Sequence, residues 1–197
     1  RVLGAGGVGD AWQLAFQLPN IFRRLFAEGA FASAFVPLFN RRMAKDGDLA
    51  EARDFAGDVL AVLIPVLIGF SALALLAMPW IAGLFANEGI AADAGLYELA
   101  VLMARLAFPY LFFMSLATVF AAVLNSLGKF AAAAAAPILL NICMLVALVA
   151  GALQPGSEEL RRDVGMWLGL AVTVAGLLQA LWLGWFAHRN GFAIRWK

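Results

Sequence analysis

The chain has 197 residues, of which 64% are hydrophobic and 14% charged, with a formal net charge of +1. A soluble domain is about half apolar and a quarter charged, so this composition marks an integral membrane protein. One cysteine and one histidine exclude an internal disulfide and the usual zinc or iron–sulfur ligand sets, and the charge balance lends no support to a nucleic-acid partner.

The apolar runs are long and continuous, which predicts an all-α, polytopic transmembrane helix bundle rather than a barrel of alternating strands. The opening, Arg1 to Asp10, reads as the tail of a helix entering a glycine-rich loop. It lacks Met and a signal-peptide pattern, and the chain stops on a charged segment just after a span, so truncation is expected at the front and at the back. Gly4, Gly6, Gly7 and Gly9 have no following Lys-Ser/Thr pair, so a loop between spans is the reading, not a phosphate loop. The first span covers about residues 11–40 and contains Pro19 and Pro37, where kinks or breaks are expected. A polar loop over 41–48 leads into an amphipathic stretch from Leu49 to Asp54.

The second span runs from about Val59 to Ala86, closed by Asn87, Glu88 and Gly89, with a short turn carrying Asp93 after it. The third runs from about Leu96 to Leu124 with Arg105, Pro109 and Tyr110 in its first half, and Asn125 to Lys129 is a tight turn. The fourth covers about Phe130 to Leu153; Cys143 lies within it as a small core residue. Ser157, Glu158 and Glu159 resemble the start of a short surface helix. The fifth span covers about Val164 to Ala187, with His188 at its interfacial end. Ser115, Thr118, Asn141, Thr173 and Gln179 are expected as interhelical hydrogen-bond partners, and Gly169, Gly176 and the alanines at 131–136 as sites of close helix approach.

Eight lysines and arginines (Arg41, Arg42, Lys45, Arg53, Lys129, Arg189, Arg195, Lys197) fall on one side of these spans and two, Arg161 and Arg162, on the other. The positive-inside rule then places the 41–53 loop, the 125–129 turn and the C-terminal end in the cytoplasm. Trp182, Trp185 and Trp196 fit an aromatic belt at the last boundary.

The first span is the unusual one. At about 100° per residue with Gln13 at zero, Gln17 projects near ~40°, Asn20 near ~340°, Arg24 near ~20°, and Asp10 and Glu28 near ~60°. Arg23 falls near ~280°, at the margin of this polar face, which favours Arg24 as its centre. Charges at bilayer depth are costly and mark function. An Arg24–Glu28 pair could neutralise itself inside a bundle, but the remaining polar groups are better satisfied along a water-filled cavity. Two guanidiniums on such a face offer planar donor forks for an anion with phosphate oxygens. Glu98 and Arg105 share a face of the third span; Arg105 either snorkels or joins the cavity. Nothing in the chain suggests bond-making catalysis, a metal or a cofactor.

Phe16 to Pro37 reads Phe-Gln-Leu-Pro-Asn-Ile-Phe-Arg-Arg-Leu-Phe-Ala-Glu-Gly-Ala-Phe-Ala-Ser-Ala-Phe-Val-Pro. Phe108-Pro109-Tyr110 precedes Leu124-Asn125, and Ala136-Pro137 precedes Leu140-Asn141-Ile142. These stretches resemble the second, fourth and fifth helices of the MurJ/MviN lipid II flippase family, and the resemblance covers essentially the whole chain. It implies the N-terminal lobe of a multidrug/oligosaccharidyl-lipid/polysaccharide exporter (MOP-type) fold in the bacterial cytoplasmic (inner) membrane. Residues 1–197 then form a single transmembrane domain, five full helices and a first-helix stub.

The implied activity is translocation of lipid II, an undecaprenyl diphosphate-linked disaccharide peptide, from cytoplasmic to periplasmic leaflet by alternating access. Membrane lipids and cell-wall synthesis or division proteins are the other implied partners. Asp10, Asn20, Arg23, Arg24 and Glu28 match family residues of the cavity or its gate, and the match makes Arg23 the diphosphate contact. Further cavity arginines, the second lobe and the helices of the lipid groove and cation site are not in this chain. A polysaccharide-lipid flippase and a cation-coupled drug exporter are the alternatives within the superfamily; two cavity arginines count against the latter.

Overall fold

The computed structural model describes residues 6–24, 31–46, 49–153 and 158–192. Among them it is an all-α bundle: α1 (Gly7–Arg23), α2 (Phe31–Asp46), α3 (Leu49–Phe85), α4 (Glu88–Ala92), α5 (Ala94–Ala107), α6 (Tyr110–Ser126), α7 (Phe130–Ala152) and α8 (Glu158–Arg189). Among the described residues, four stretches are long and apolar enough to cross a membrane: Ala50–Phe85, Ala94–Ser126, Phe130–Ala152 and Leu160–Arg189.

Helix ends follow from their capping chemistry. Asn87 accepts from the Ile90 N–H at 2.8 Å and starts α4. Asp93, expected in a turn, caps α5 by accepting from the Gly95 and Leu96 N–H groups. After α6 and α8, the Lys129 N–H reaches the Leu124 carbonyl at 2.8 Å and the Phe192 N–H reaches Ala187 at 2.9 Å. Each closure passes through a glycine at positive φ, Gly128 at 72° and Gly191 at 82°, where a Cβ would be strained.

The prolines behave unequally. Pro19, Pro37, Pro65, Pro79 and Pro137 all lie inside helices, so of the kinks or breaks expected at Pro19 and Pro37 a break is excluded. Pro109 does divide an element: the expected continuous third span is α5 and α6, separated at Phe108 and Pro109. Proline has no N–H for the carbonyl four residues back, and its ring crowds that carbonyl. Within α3, Pro79 orphans the Leu75 carbonyl in this way, and the Arg105 side chain of α5 supplies the missing donor from Nε at 3.2 Å. The Tyr97 hydroxyl donates to the Pro79 carbonyl beside it. Arg105 therefore stitches α5 to α3 and does not line the cavities described below.

Two expected surface segments are continuous with spans. The Leu49–Asp54 lead-in belongs to α3, and Glu158 and Glu159 open α8. At 1.5 Å per residue the 37 residues of α3 extend about 55 Å, well beyond the roughly 30 Å hydrocarbon layer. Its first half packs Ala56 and Leu60 with Phe39 of α2 and Val123 of α6. Its second half packs Met78 and Ala82 with Leu14 and Leu18 of α1 and Met103 of α5. One helix thus spans two core clusters.

Helix α8 packs closely against α5, α6 and α7. Glycines make that approach possible: a Cβ on Gly169 would lie 3.0 Å from the Met103 carbonyl oxygen, and one on Gly176 would lie 2.7 Å from the Tyr110 ring. Of the expected interhelical bonds, Thr173 Oγ1 donates to the Leu106 carbonyl of α5 at 2.6 Å. Ser115 and Thr118 instead bond back to carbonyls four residues earlier in α6, Gln179 is buried with no partner for its Nε2, and Asn141 is exposed. Cys143 is half-buried rather than in the core, at an apolar groove between α7 and α8.

Candidate functional site

Helix α1 sits against α5, with α6 and α8 beside it. It buries Val8, Ala11, Leu14, Ala15, Leu18 and Pro19. The helix begins at Gly7, inside the stretch expected to be a loop, and Gly7 lies close against the Leu96 side chain of α5, which a Cβ there would have to displace. The opposite face carries Asp10, Gln13, Gln17 and Arg24, all exposed, with Asn20 and Arg23 half-buried.

Exposure alone does not identify a site in a membrane protein, but the chemistry of the exposed surface does. On α3 the exposed side chains include Leu76 (72%), Trp80 (76%) and Leu84 (83%), a surface suited to lipid chains. On α1 the exposed side chains are amides, a carboxylate and a guanidinium, which require water or a polar ligand.

This face opens onto two concavities that share Gln17. The larger, about 470 Å³, is lined by Phe16, Gln17, Asn20, Ile21, Arg23 and Arg24. The smaller, about 190 Å³, is lined by Asp10, Gln13 and Gln17 of α1 together with Phe85, Asn87 and Ile90. Both arginines line the same cavity, Arg24 exposed and Arg23 half-buried toward the margin of the polar face. The Asn20 side chain bridges Phe16 and Arg23. Its Nδ2 donates to the Phe16 carbonyl at 3.1 Å, which turns its Oδ1 to accept from Arg23 Nε at 3.3 Å. That bond draws the Arg23 guanidinium toward the Asn20 side, onto the wall of the cavity.

A cluster of rings lies behind the arginines. Phe22 meets Phe70 of α3 edge-on at 5.4 Å and Phe108 at 5.6 Å between ring centroids. Phe108 is fully buried at the division between α5 and α6.

Of the sequence-derived site residues, Asn20, Arg23 and Arg24 come together, and Asp10 lines the separate smaller cavity. Glu28 lies outside the described residues. Asn87 was missed as a site residue; it reads as a span terminator, and only the fold brings it opposite Gln13. Among the described residues no group of three His, Cys, Asp or Glu is placed to hold a metal ion.

The geometry is that of a polar cleft on one helix face, lined by amides and two arginines. A family model described as lipid II flippase MurJ matches residues 1–197. A probable lipid II flippase MurJ of Rhizobium meliloti (strain 1021) is 45% identical over 188 residues, covering 95% of this chain and 34% of that protein. One from Haemophilus influenzae is 35% identical over 205 residues, covering 100% of this chain and 38% of that protein. The lipid II flippase MurJ of Burkholderia cenocepacia is 38% identical over 184 residues, covering 92% and 34%. The chain spans about a third of the length of the curated relatives it matches. With its four apolar spans, it is a multi-pass membrane protein.

Proposed function

Since the chain belongs to the lipid II flippase MurJ family, we propose that it forms one wall of a cationic cavity through which lipid II crosses from the cytoplasmic to the outer leaflet. The observation that carries this reading is the placement of Arg23 and Arg24 on one cavity of about 470 Å³, on a helix face that is polar where neighbouring helices expose leucine and tryptophan. Guanidinium groups hold their charge at any physiological pH and match phosphate oxygens with paired N–H donors. A diphosphate is the part of lipid II that most needs such partners in a bilayer. Asn20 positions Arg23, Arg24 supplies the second fork, Asp10 stands toward the other end of the helix, and Glu28 joins the set through its place in the family motif.

The protein acts as a transporter, not as a catalyst of bond-making. Residues 1–197 act as a single transmembrane domain, the first lobe of the exporter fold. The distribution of lysine and arginine supports a cytoplasmic position for the 41–53 segment, the 125–129 turn and the C-terminal end, in a bacterial inner membrane.

The test is lipid II binding by the purified protein in detergent. Arg23→Ala and Arg24→Ala are expected to weaken it by about ten- to a hundredfold each, the loss of a charge-assisted contact worth roughly 1.5–3 kcal/mol. Membrane insertion should be unchanged. Undiminished binding in both variants refutes the reading.

A further inference from the structure

The diphosphate reading uses only the Arg23 end of α1 and leaves the amides beyond it without a task. Resting on that reading, we propose that Gln13, Gln17 and Asn87 form a second subsite, which takes the sugar hydroxyl and acetamido groups adjoining the diphosphate.

The side chains on this face differ in hydrogen-bonding capacity. Arg23 and Arg24 only donate hydrogen bonds, a carboxamide both donates and accepts, and an ionised Asp10 only accepts. Along α1 these follow in order: donors at 23 and 24, amides at 17 and 13, an acceptor at 10. A hydroxyl group also both donates and accepts, so the amide stretch is the part of the face matched to sugars, as the guanidinium end is matched to phosphate. From Arg23 to Gln13 the helix rises about 15 Å, so the amide stretch begins where a group attached to a bound diphosphate would reach.

The amides also differ in availability. Asn20 spends its carboxamide within α1, on the Phe16 carbonyl and on Arg23. Gln13 and Gln17 are exposed, one turn apart, on the smaller cavity, and Gln17 also reaches the larger one. Asn87 faces them with its Oδ1 already accepting from Ile90 N–H at 2.8 Å, which leaves its Nδ2 hydrogens as donors for the cavity it lines. The walls between the polar groups are Leu14, Phe85 and Ile90, apolar surfaces of the kind that sugar C–H faces pack against. The two cavities meet at Gln17, so one ligand can occupy both.

The experiment compares three lipids on the purified protein in detergent: undecaprenyl diphosphate, the same lipid carrying the disaccharide without peptide, and lipid II. Gln13→Met, at a residue that lines only the smaller cavity, keeps side-chain length and removes the hydrogen bonds. It should weaken both sugar-bearing lipids by about fivefold and change undecaprenyl diphosphate by less than about twofold. Gln13→Leu, should the first variant melt early, should show the same selectivity. Arg23→Ala should weaken all three lipids alike.

Equal losses for bare and sugar-bearing lipids, no loss for the disaccharide lipid, or a loss confined to the peptide-bearing lipid each overturn the subsite. If undecaprenyl diphosphate binds through the arginines but the sugars add no affinity in the unsubstituted protein, the subsite falls and the diphosphate reading stands. If the unsubstituted protein binds none of the three, both fall.

Discussion

Replacing Arg105 by Met should destabilise the bundle only while Pro79 is present. The Arg105 Nε–H donates to the Leu75 carbonyl at 3.2 Å, and that carbonyl lacks its helical donor because residue 79 is proline. Interhelical hydrogen bonds in membranes average about 0.6 kcal/mol and reach about 1.7. Arg105 is exposed, which lowers the figure, but it serves a carbonyl with no helical alternative, which raises it. The expected cost of Arg105→Met is therefore about 1 kcal/mol. In a Pro79→Ala background the new backbone N–H can return to the Leu75 carbonyl along the helix, and the same Arg105→Met change should cost close to nothing. A double-mutant cycle by denaturant unfolding in bicelles measures the coupling directly. An equal cost in both backgrounds would refute the claim that Arg105 acts by replacing the proline's missing donor.

Four further substitutions test individual contacts. Gly169→Ala should destabilise by about 1–3 kcal/mol, because its Cβ would meet the Met103 backbone carbonyl at 3.0 Å and the Leu106 Cβ at 3.1 Å. Gly165→Ala should cost less, since the obstacle there is the flexible Met103 thioether, and detergent melting curves of the two variants decide the order. Thr173→Val should remove the 2.6 Å bond to the Leu106 carbonyl and cost about 0.6–1.7 kcal/mol in the same unfolding assay. Arg23→Lys keeps the charge but loses both the planar fork and the Nε bond to Asn20, so its lipid II affinity should fall near that of Arg23→Ala; full affinity would show that charge alone suffices.

Hydropathy located four of the five expected membrane-crossing runs because bilayer thickness imposes a length that composition reveals; the expected span over 11–40, part of which lies outside the described residues, is not among the four. It did not find where helices begin and end. The α3 and α8 lead-ins are polar, so a hydropathy reading cuts them off, although backbone hydrogen bonding continues through them. Nor does proline content distinguish Pro109, which separates α5 from α6, from Pro65 or Pro79, which lie inside α3. The donor that Arg105 gives to the Leu75 carbonyl comes from another helix and was not legible in the sequence. The polar face of α1 was legible because six polar residues recur at helical spacing. Its division into two cavities was not, since Phe85, Asn87 and Ile90 come from a segment some seventy residues on. The bond that Arg23 Nε donates to Asn20 Oδ1 at 3.3 Å was not legible either, because an angular projection contains no side-chain contacts.

The ring cluster behind the arginines has a mechanical consequence. Phe22 immediately precedes Arg23, and Phe108 immediately precedes Pro109. The two rings touch edge to face, with Phe70 of α3 against both. Close-packed interiors transmit displacement instead of absorbing it. Phe108 lies at the junction of α5 and α6, and the ring it meets belongs to the residue before Arg23. The junction of the third span and the helix of the cavity arginines thus share one ring-to-ring contact.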